Sequence, residues 1–198
     1  MEKILVIISS INPEEKSIST KLAKTFVELY SQDHEAEFEF LNVNDLKMSN
    51  TTLSSQNFSG FFNEEDSDKY INQLKNVDKV IVSAPMYNFN VPATLKNYLD
   101  HVLVANKTFS YKYSKKGDAI GLLDHLKVQI LATQGAPYGW YLWGNHVKYL
   151  EGTFEFVGAK INKSILIDGT KLKENAELSP ADFVEKHIKE IKEAVKSF

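Results

Sequence analysis

Cysteine is absent from this 198-residue chain, which removes disulfides, thiolate nucleophiles, Cys-ligated zinc and iron–sulfur clusters from its chemistry. Arginine is absent as well, so the 23 basic residues are all Lys. No guanidinium fork can grip a phosphate or carboxylate from this chain; any bound phosphate rests on Lys, hydroxyls and backbone N–H groups. Genome composition bias explains that absence as readily as function does, and the chemical constraint is the same either way. No apolar run reaches the ~18–20 residues that cross a bilayer, and Met1-Glu2-Lys3 passes straight into a short apolar strand without a cleavage pattern, so the expectation is a cytoplasmic protein with no membrane partner. Excess positive charge is missing too: a net charge of -3 and a pI near 6.0 give no electrostatic footprint for nucleic acid. The five His show no metal-ligand spacing, and no metal site is expected.

What is present is ordinary globular composition, 43% hydrophobic and 25% charged, which predicts a single domain over 1–198 with a large core. Lys3 to Ile8 is a near-continuous apolar run after its first residue, the pattern of a strand buried on both faces of a parallel sheet. A polar, serine-rich loop follows, and then Leu22, Phe26, Leu29 and Tyr30 mark one helical face between Ser19 and Ser31. Glu37 to Leu41 alternates charged and apolar residues, as an edge strand does. Asn42 to Glu65 reads as a long polar loop with a docked cluster of Phe58, Phe61 and Phe62. Asp66 to Asn76 reads as a helix, Val77 to Ser83 as a strand, and Leu95 to Leu103 as a helix. Thr108 to Tyr113 alternates aromatic and polar residues ahead of Lys115-Lys116-Gly117. Lys127 to Thr133 is a further strand; Val147 to Val157 is a helix that Gly158 stops; Ala159 to Ile167 is the last strand; Pro180 to Phe198 is one amphipathic helix. Five strands alternating with helices predict an α/β fold with a five-stranded parallel sheet, flavodoxin-like order 2-1-3-4-5, and helices on both faces.

In that topology the loops after strands one, three and four share the carboxyl edge of the sheet, where open α/β folds bind ligands. The first holds Ser9, Ser10, Ser17 and Ser19 ahead of a helix, with Lys16 as the local cation beside Glu14 and Glu15. Hydroxyls and the N–H groups of a helix start can cradle a phosphate, although serines there also serve as plain N-caps. The loop matches neither G-x-G-x-x-G nor G-x-x-x-x-G-K-[ST]. The third loop, Met86-Tyr87-Asn88-Phe89 between Pro85 and Pro92, offers a flat aromatic and amide surface, or else plugs the top of the core. The fourth offers Thr133-Gln134-Gly135. Phosphate at one end and a planar polar heterocycle at the other describe a mononucleotide, and FMN is the one this fold commonly hosts.

Ser9-Ser10-Ile11 with Ser17-Ile18-Ser19, Ala84-Pro85-Met86-Tyr87-Asn88-Phe89-Asn90, Leu95-Lys96-Asn97-Tyr98, and Thr108-Phe109 with Tyr111 together resemble the FMN-dependent NADH-azoreductases, also described as NADH:quinone oxidoreductases. The resemblance covers nearly the whole chain. It implies that Ser10, Ser17, Ile18 and Ser19 hold the phosphate and ribityl end of FMN and that Met86, Tyr87, Asn88 and Phe89 border its ring; Thr133, Gln134 and Gly135 join the site by their position at the same sheet edge, not by the resemblance. Family members often carry Ser-Arg-Gly-Gly in the fourth loop, whereas this chain has Thr133-Gln134-Gly135-Ala136. The implied reaction is ping-pong: NADH reduces the flavin and leaves, and a quinone or azo compound then takes the two electrons. The cofactor carries the redox chemistry, and no protein acid, base or nucleophile is nominated. The resemblance also implies a homodimer. A flavodoxin-like electron carrier with no NADH-dependent turnover of its own is the alternative. The physiological acceptor is not written in the sequence.

Overall fold

The computed structural model describes residues 1–112 and 119–198, so Tyr113 and the Lys115-Lys116-Gly117 run lie outside the described residues. β1 (Glu2–Ile8) is followed by α1 (Ile18–Asp33) and β2 (Ala36–Asn42). Four residues, Phe58–Phe61, form the short α2, and α3 is Lys69–Lys75. β3 (Lys79–Pro85) and α4 (Ala93–Val102) flank the central loop. A small antiparallel hairpin pairs β4 (Phe109–Ser110) with β5 (Ile120–Gly121). Then come β6 (Lys127–Thr133), α5 (His146–Phe156), β7 (Lys160–Ile161), β8 (Ile165–Ile167), α6 (Pro180–Glu185) and α7 (Ile188–Ser197).

The main sheet is parallel, ordered β2-β1-β3-β6, with β7 and β8 both pairing β6. β1 explains its own apolar run: Ile4, Val6 and Ile8 pack with α1, α6 and α7 on one face, and Leu5 and Ile7 pack with the α3, α4 and α5 side. With both faces covered, no position alternates to polar. β2 is the edge strand, as its charged alternation requires.

The predicted fifth strand is split in two. Val128 pairs with Ile161 but Leu131 pairs with Ile165, so the outer strand carries one extra residue between them. Buried Gln129 fills this bulge: its Nε2 donates to the Lys163 carbonyl at 3.0 Å and its Oε1 accepts from Asn162 Nδ2 at 2.6 Å. A buried bulge needs such partners because its ladder groups are left over.

Three other expectations change. The stretch after β2 is a string of short turns, Val43–Asp45, Lys47–Asn50, α2 and Glu64–Asp68, rather than one loop. Of its aromatics only Phe61 docks, its ring tilted 31° against His101 of α4 with centroids 3.9 Å apart, while Phe58 and Phe62 stay exposed. The C-terminal helix breaks at Lys186 and His187, where the His187 N–H donates to the Val184 carbonyl at 2.9 Å and tightens the turn.

Register sets up the edge. Ile8 pairs with Ser83, Pro85 with Thr133 and Thr133 with Ile167, so the loops after β1, β3, β6 and β8 leave the sheet side by side. No described helix is long and apolar enough to cross a membrane.

Candidate functional site

The loop after β1 sends its serines in different directions. Ser9 turns into the sheet, where its hydroxyl donates to the Ser83 carbonyl at 2.7 Å, and it leaves the site. Ser10 faces the site edge, its Oγ accepting the Asn12 N–H at 3.2 Å. Ser17 caps α1 by accepting the Thr20 N–H at 3.1 Å, and its Oγ lies 3.3 Å from that of Ser19. Capping leaves the N–H groups of Ile18 and Ser19, at the first two helical positions, without intrahelical partners, and the helix dipole adds positive potential there.

The central loop is fixed from below and from above. From below, the Met86 N–H donates to the Thr133 carbonyl at 2.8 Å. Tyr87 and Asn90 then exchange backbone hydrogen bonds of 2.8 and 3.0 Å, closing a tight turn in which Asn88 has φ 45° and Phe89 has φ 70°. Two consecutive left-handed residues make a type I′ geometry. Asn tolerates it, but a Phe there costs about 1–3 kcal/mol and persists only if the surroundings hold it.

They do. Phe89 packs against Trp143 and Tyr141 at 4.3 and 5.0 Å between ring centroids, and Gly144 lies so close that a Cβ would meet Phe89 Cβ at 3.0 Å. The aromatic run Trp140 to Trp143 thus folds back onto the turn. Tyr87 reaches the other way. Burial pushes its hydroxyl above the usual tyrosine range, opposed by hydrogen bonds from the backbone of Ile11 and the hydroxyl of Ser10.

The loops after β6 and β8 run together. The Gln134 N–H donates to the Ile167 carbonyl at 3.0 Å, and the Thr170 and Lys171 N–H groups donate to the Gln134 and Gly135 carbonyls at 3.2 and 3.0 Å. The Gln134 side chain donates to the Ala136 carbonyl at 2.9 Å, so its carboxamide serves its own loop.

These loops enclose two adjoining cavities. The first, of about 390 Å³, brings together Ser10, Ser17, Ile18, Ser19, Met86, Tyr87, Asn88, Thr133, Gln134 and Gly135. Every site residue expected from the sequence is there except Phe89, which lines the second cavity, of about 360 Å³, with Trp140 and Tyr141. Both volumes fall in the ~300–1,000 Å³ span of small-molecule sites. A larger groove, about 550 Å³, runs beside α1 and β2, but three carboxylates, Glu14, Glu28 and Asp45, line it against one cation, Lys24, which pairs with Glu14, so it disfavours an anion. Among the described residues no carboxylate lines either of the two smaller cavities.

Lys16 lines the first cavity, as the loop composition suggested, but it is not the only cation there. Asn12, Thr170 and Lys171 join it, all missed by the sequence reading. The signal for Thr170 and Lys171 was positional: a fifth parallel strand ends on the same edge as the others.

Comparison with known proteins agrees with the fold. A family model described as the flavodoxin-like fold matches residues 2–193. The FMN-dependent NADH:quinone oxidoreductase of Mycoplasmopsis pulmonis is 56% identical over 199 residues, covering 100% of both chains. Among solved structures, an azoreductase from Bacillus anthracis str. Sterne superposes with a TM-score of 0.83 at 24% identity over 100% of both chains. An FMN-dependent NADH-azoreductase from Bacillus anthracis str. Ames Ancestor, solved in complex with FMN, gives 0.75 at 24% identity, covering 99% of this chain and 98% of that one. The two structural likenesses speak for the fold, and the sequence relative is close over its full length. This chain belongs to the flavodoxin-like fold family and, within it, to the FMN-dependent NADH:quinone oxidoreductases.

Proposed function

We propose that the protein binds FMN in the cavity between the loops after β1, β3 and β6, and carries electrons from NADH to quinones and aromatic azo compounds. One observation carries the reading: a hydroxyl-rich helix start and an amide and aromatic turn, separated in sequence by about seventy residues, line the same cavity, which has no carboxylate among the described residues.

The donor set suits this cofactor. Ser10, Ser17 and Ser19 with the Ile18 and Ser19 N–H groups fit a phosphate monoester of about -1.5 to -2 charges, and Lys16 supplies a cation without any Arg. Opposite, Met86 to Phe89 and Gln134 to Gly135 present backbone and amide groups suited to a flat polar ring. When bound, FMN supplies the two-electron chemistry.

The chain's own residues bind and orient. The Ser17 hydroxyl and the α1 start hold the anionic end. Among the described residues the Asn88 and Phe89 N–H groups donate to no backbone carbonyl, which leaves them free to meet negative charge that develops on the ring. Because the turn is clamped by Thr133 below and by Tyr141, Trp143 and Gly144 above, those dipoles are set before any ligand arrives. Phe89 and Trp140 supply the apolar wall over which a planar acceptor stacks.

The whole chain, 1–198, acts as one flavin-binding domain, and it works as a homodimer in the cytoplasm. Support for the dimer comes from Trp140, Leu142 and Trp143, which remain 64%, 87% and 71% exposed side by side in one chain. Support for the compartment is the donor, NADH, a cytoplasmic metabolite.

The purified protein should be yellow, bleach on anaerobic addition of NADH, and recover its colour with a quinone. Steady-state NADH oxidation should need no partner reductase, which separates this enzyme from an electron carrier of the same fold. A colourless protein that takes up no added FMN would overturn the reading.

A further inference from the structure

Lys171 stands at the junction of the two cavities and lines both of them, whereas Lys16 lines only the first. Its backbone is fixed there. Gly169, Thr170 and Lys171 donate in turn to the carbonyls of Ala136, Gln134 and Gly135 at 3.3, 3.2 and 3.0 Å, so the segment after β8 is laced along the loop after β6. Its stem lies flat on Gly135: a Cβ there would stand 3.0 Å from Lys171 Cδ and 3.2 Å from Cγ, so any larger residue would push the lysine off. No ion pair holds the ammonium among the described residues, and neither cavity offers it a carboxylate.

An anchored, unpaired cation beside an aromatic chamber calls for a particular ligand. Phe89, Trp140 and Tyr141 suit a flat ring by stacking, and a lone ammonium at the rim suits an anionic substituent on it. We propose that Lys171 is a specificity-determining residue that pairs with a carboxylate or sulfonate carried by a planar aromatic acceptor, so that anionic quinones and azo compounds are preferred over neutral ones of the same size. The inference rests on the flavin-enzyme reading above. It gives this arginine-free chain its cation on the acceptor side, supplied by the loop after β8 rather than the loop after β6.

In a ping-pong reaction, kcat/KM for the acceptor reports the oxidative half-reaction alone, which makes the test clean. The FMN-loaded protein is assayed with 1,2-naphthoquinone-4-sulfonate and with neutral 1,2-naphthoquinone, as wild type, Lys171→Met, Lys171→Arg and Lys171→Glu. The ratio of kcat/KM, anionic over neutral, should fall about five- to tenfold in Lys171→Met, fall further in Lys171→Glu and be largely kept in Lys171→Arg. Added salt should erode the wild-type ratio and leave the Lys171→Met ratio flat.

A binding measurement without turnover accompanies the kinetics. Both tryptophans of the chain sit in the loop at this cavity, so quenching of their fluorescence by either quinone in the absence of NADH reads affinity directly. The affinity ratio should move with the kinetic one. An equal loss for both quinones, a loss confined to kcat/KM for NADH, or release of FMN from Lys171→Met would each overturn the assignment, placing Lys171 in packing, donor binding or cofactor binding instead. Failure of the wild-type protein to bind FMN or to reduce the neutral quinone would count against the enzyme reading itself.

Discussion

Asn44 donates from its side-chain amide to the Ser10 carbonyl at 2.8 Å, while its Oδ1 accepts from the Thr94 hydroxyl at 2.9 Å. One half-buried carboxamide therefore ties the serine loop to the first turn of α4, the helix that begins where the central loop ends. Replacing Asn44 with Ala removes both links, each worth about 0.5–1.5 kcal/mol. FMN affinity should weaken about tenfold, read by quenching of free FMN fluorescence. Wild-type affinity in the variant would mean that the serine loop keeps its shape unaided.

The turn at Asn88 and Phe89 separates backbone from side chain. If the work at Asn88 is done by its amide N–H in a left-handed conformation, Gly should substitute well and Ala poorly, because Ala lacks the local side-chain compensation that lets Asn occupy φ 45°. Asn88→Gly should retain FMN and its rate of reduction by NADH. Asn88→Ala should lose about 1 kcal/mol of turn stability and bind FMN several-fold less tightly. Equal losses in both variants would assign the role to the carboxamide.

The long strands were legible because burial on both faces leaves no room for polar alternation, which made β1, β3 and β6 readable as apolar runs. Their order then placed the serine loop beside Met86 to Phe89. Short-range pairing was not legible. β5 is only two residues long, too short for its own sequence to announce, and the bulge that divides β7 from β8 depends on Gln129, a polar residue whose burial no local pattern announces. Lys171 escaped for the same reason. The strand end at Ile167 placed Asp168-Gly169-Thr170-Lys171 on the binding edge, but nothing local says which way the loop then runs, and the hydrogen bonds to Gln134, Gly135 and Ala136 are what bring it to the site.

Gln129 is itself testable. Fully buried in β6, it satisfies the Lys163 carbonyl and pairs with Asn162, whose Nδ2 also donates to the Ala194 carbonyl at 3.1 Å and so ties α7 to the sheet. Gln129→Leu fits the volume but strands these groups away from water. The cost should be about 2–4 kcal/mol, or roughly 5–10 °C in Tm for a chain of this size, measured by thermal and urea unfolding. A Tm within one or two degrees of wild type would mean that water replaces the carboxamide in the bulge.

His146 sets an acid limit. It opens α5 with only 1% of its surface exposed, and neither ring nitrogen has a hydrogen-bond partner in normal geometry among the described residues. Burial pushes its imidazolium down to about 4 from an ordinary 6.5, against a smaller upward pull from the backbone of Ala84. The folded state therefore holds His146 neutral more strongly than the unfolded chain does. Its contribution is fully present above pH 6.5 and disappears as pH falls through about 4, since the unfolded state then binds the extra proton first. Over that window the loss amounts to roughly 3 kcal/mol. His146→Leu keeps the site apolar and cannot take up a proton, so its stability, followed by urea unfolding at pH 7, 5.5 and 4.5, should fall less steeply than that of wild type. Parallel slopes would show that His146 finds a partner or a path to water when it is charged, and that the acid sensitivity of the protein belongs to other groups.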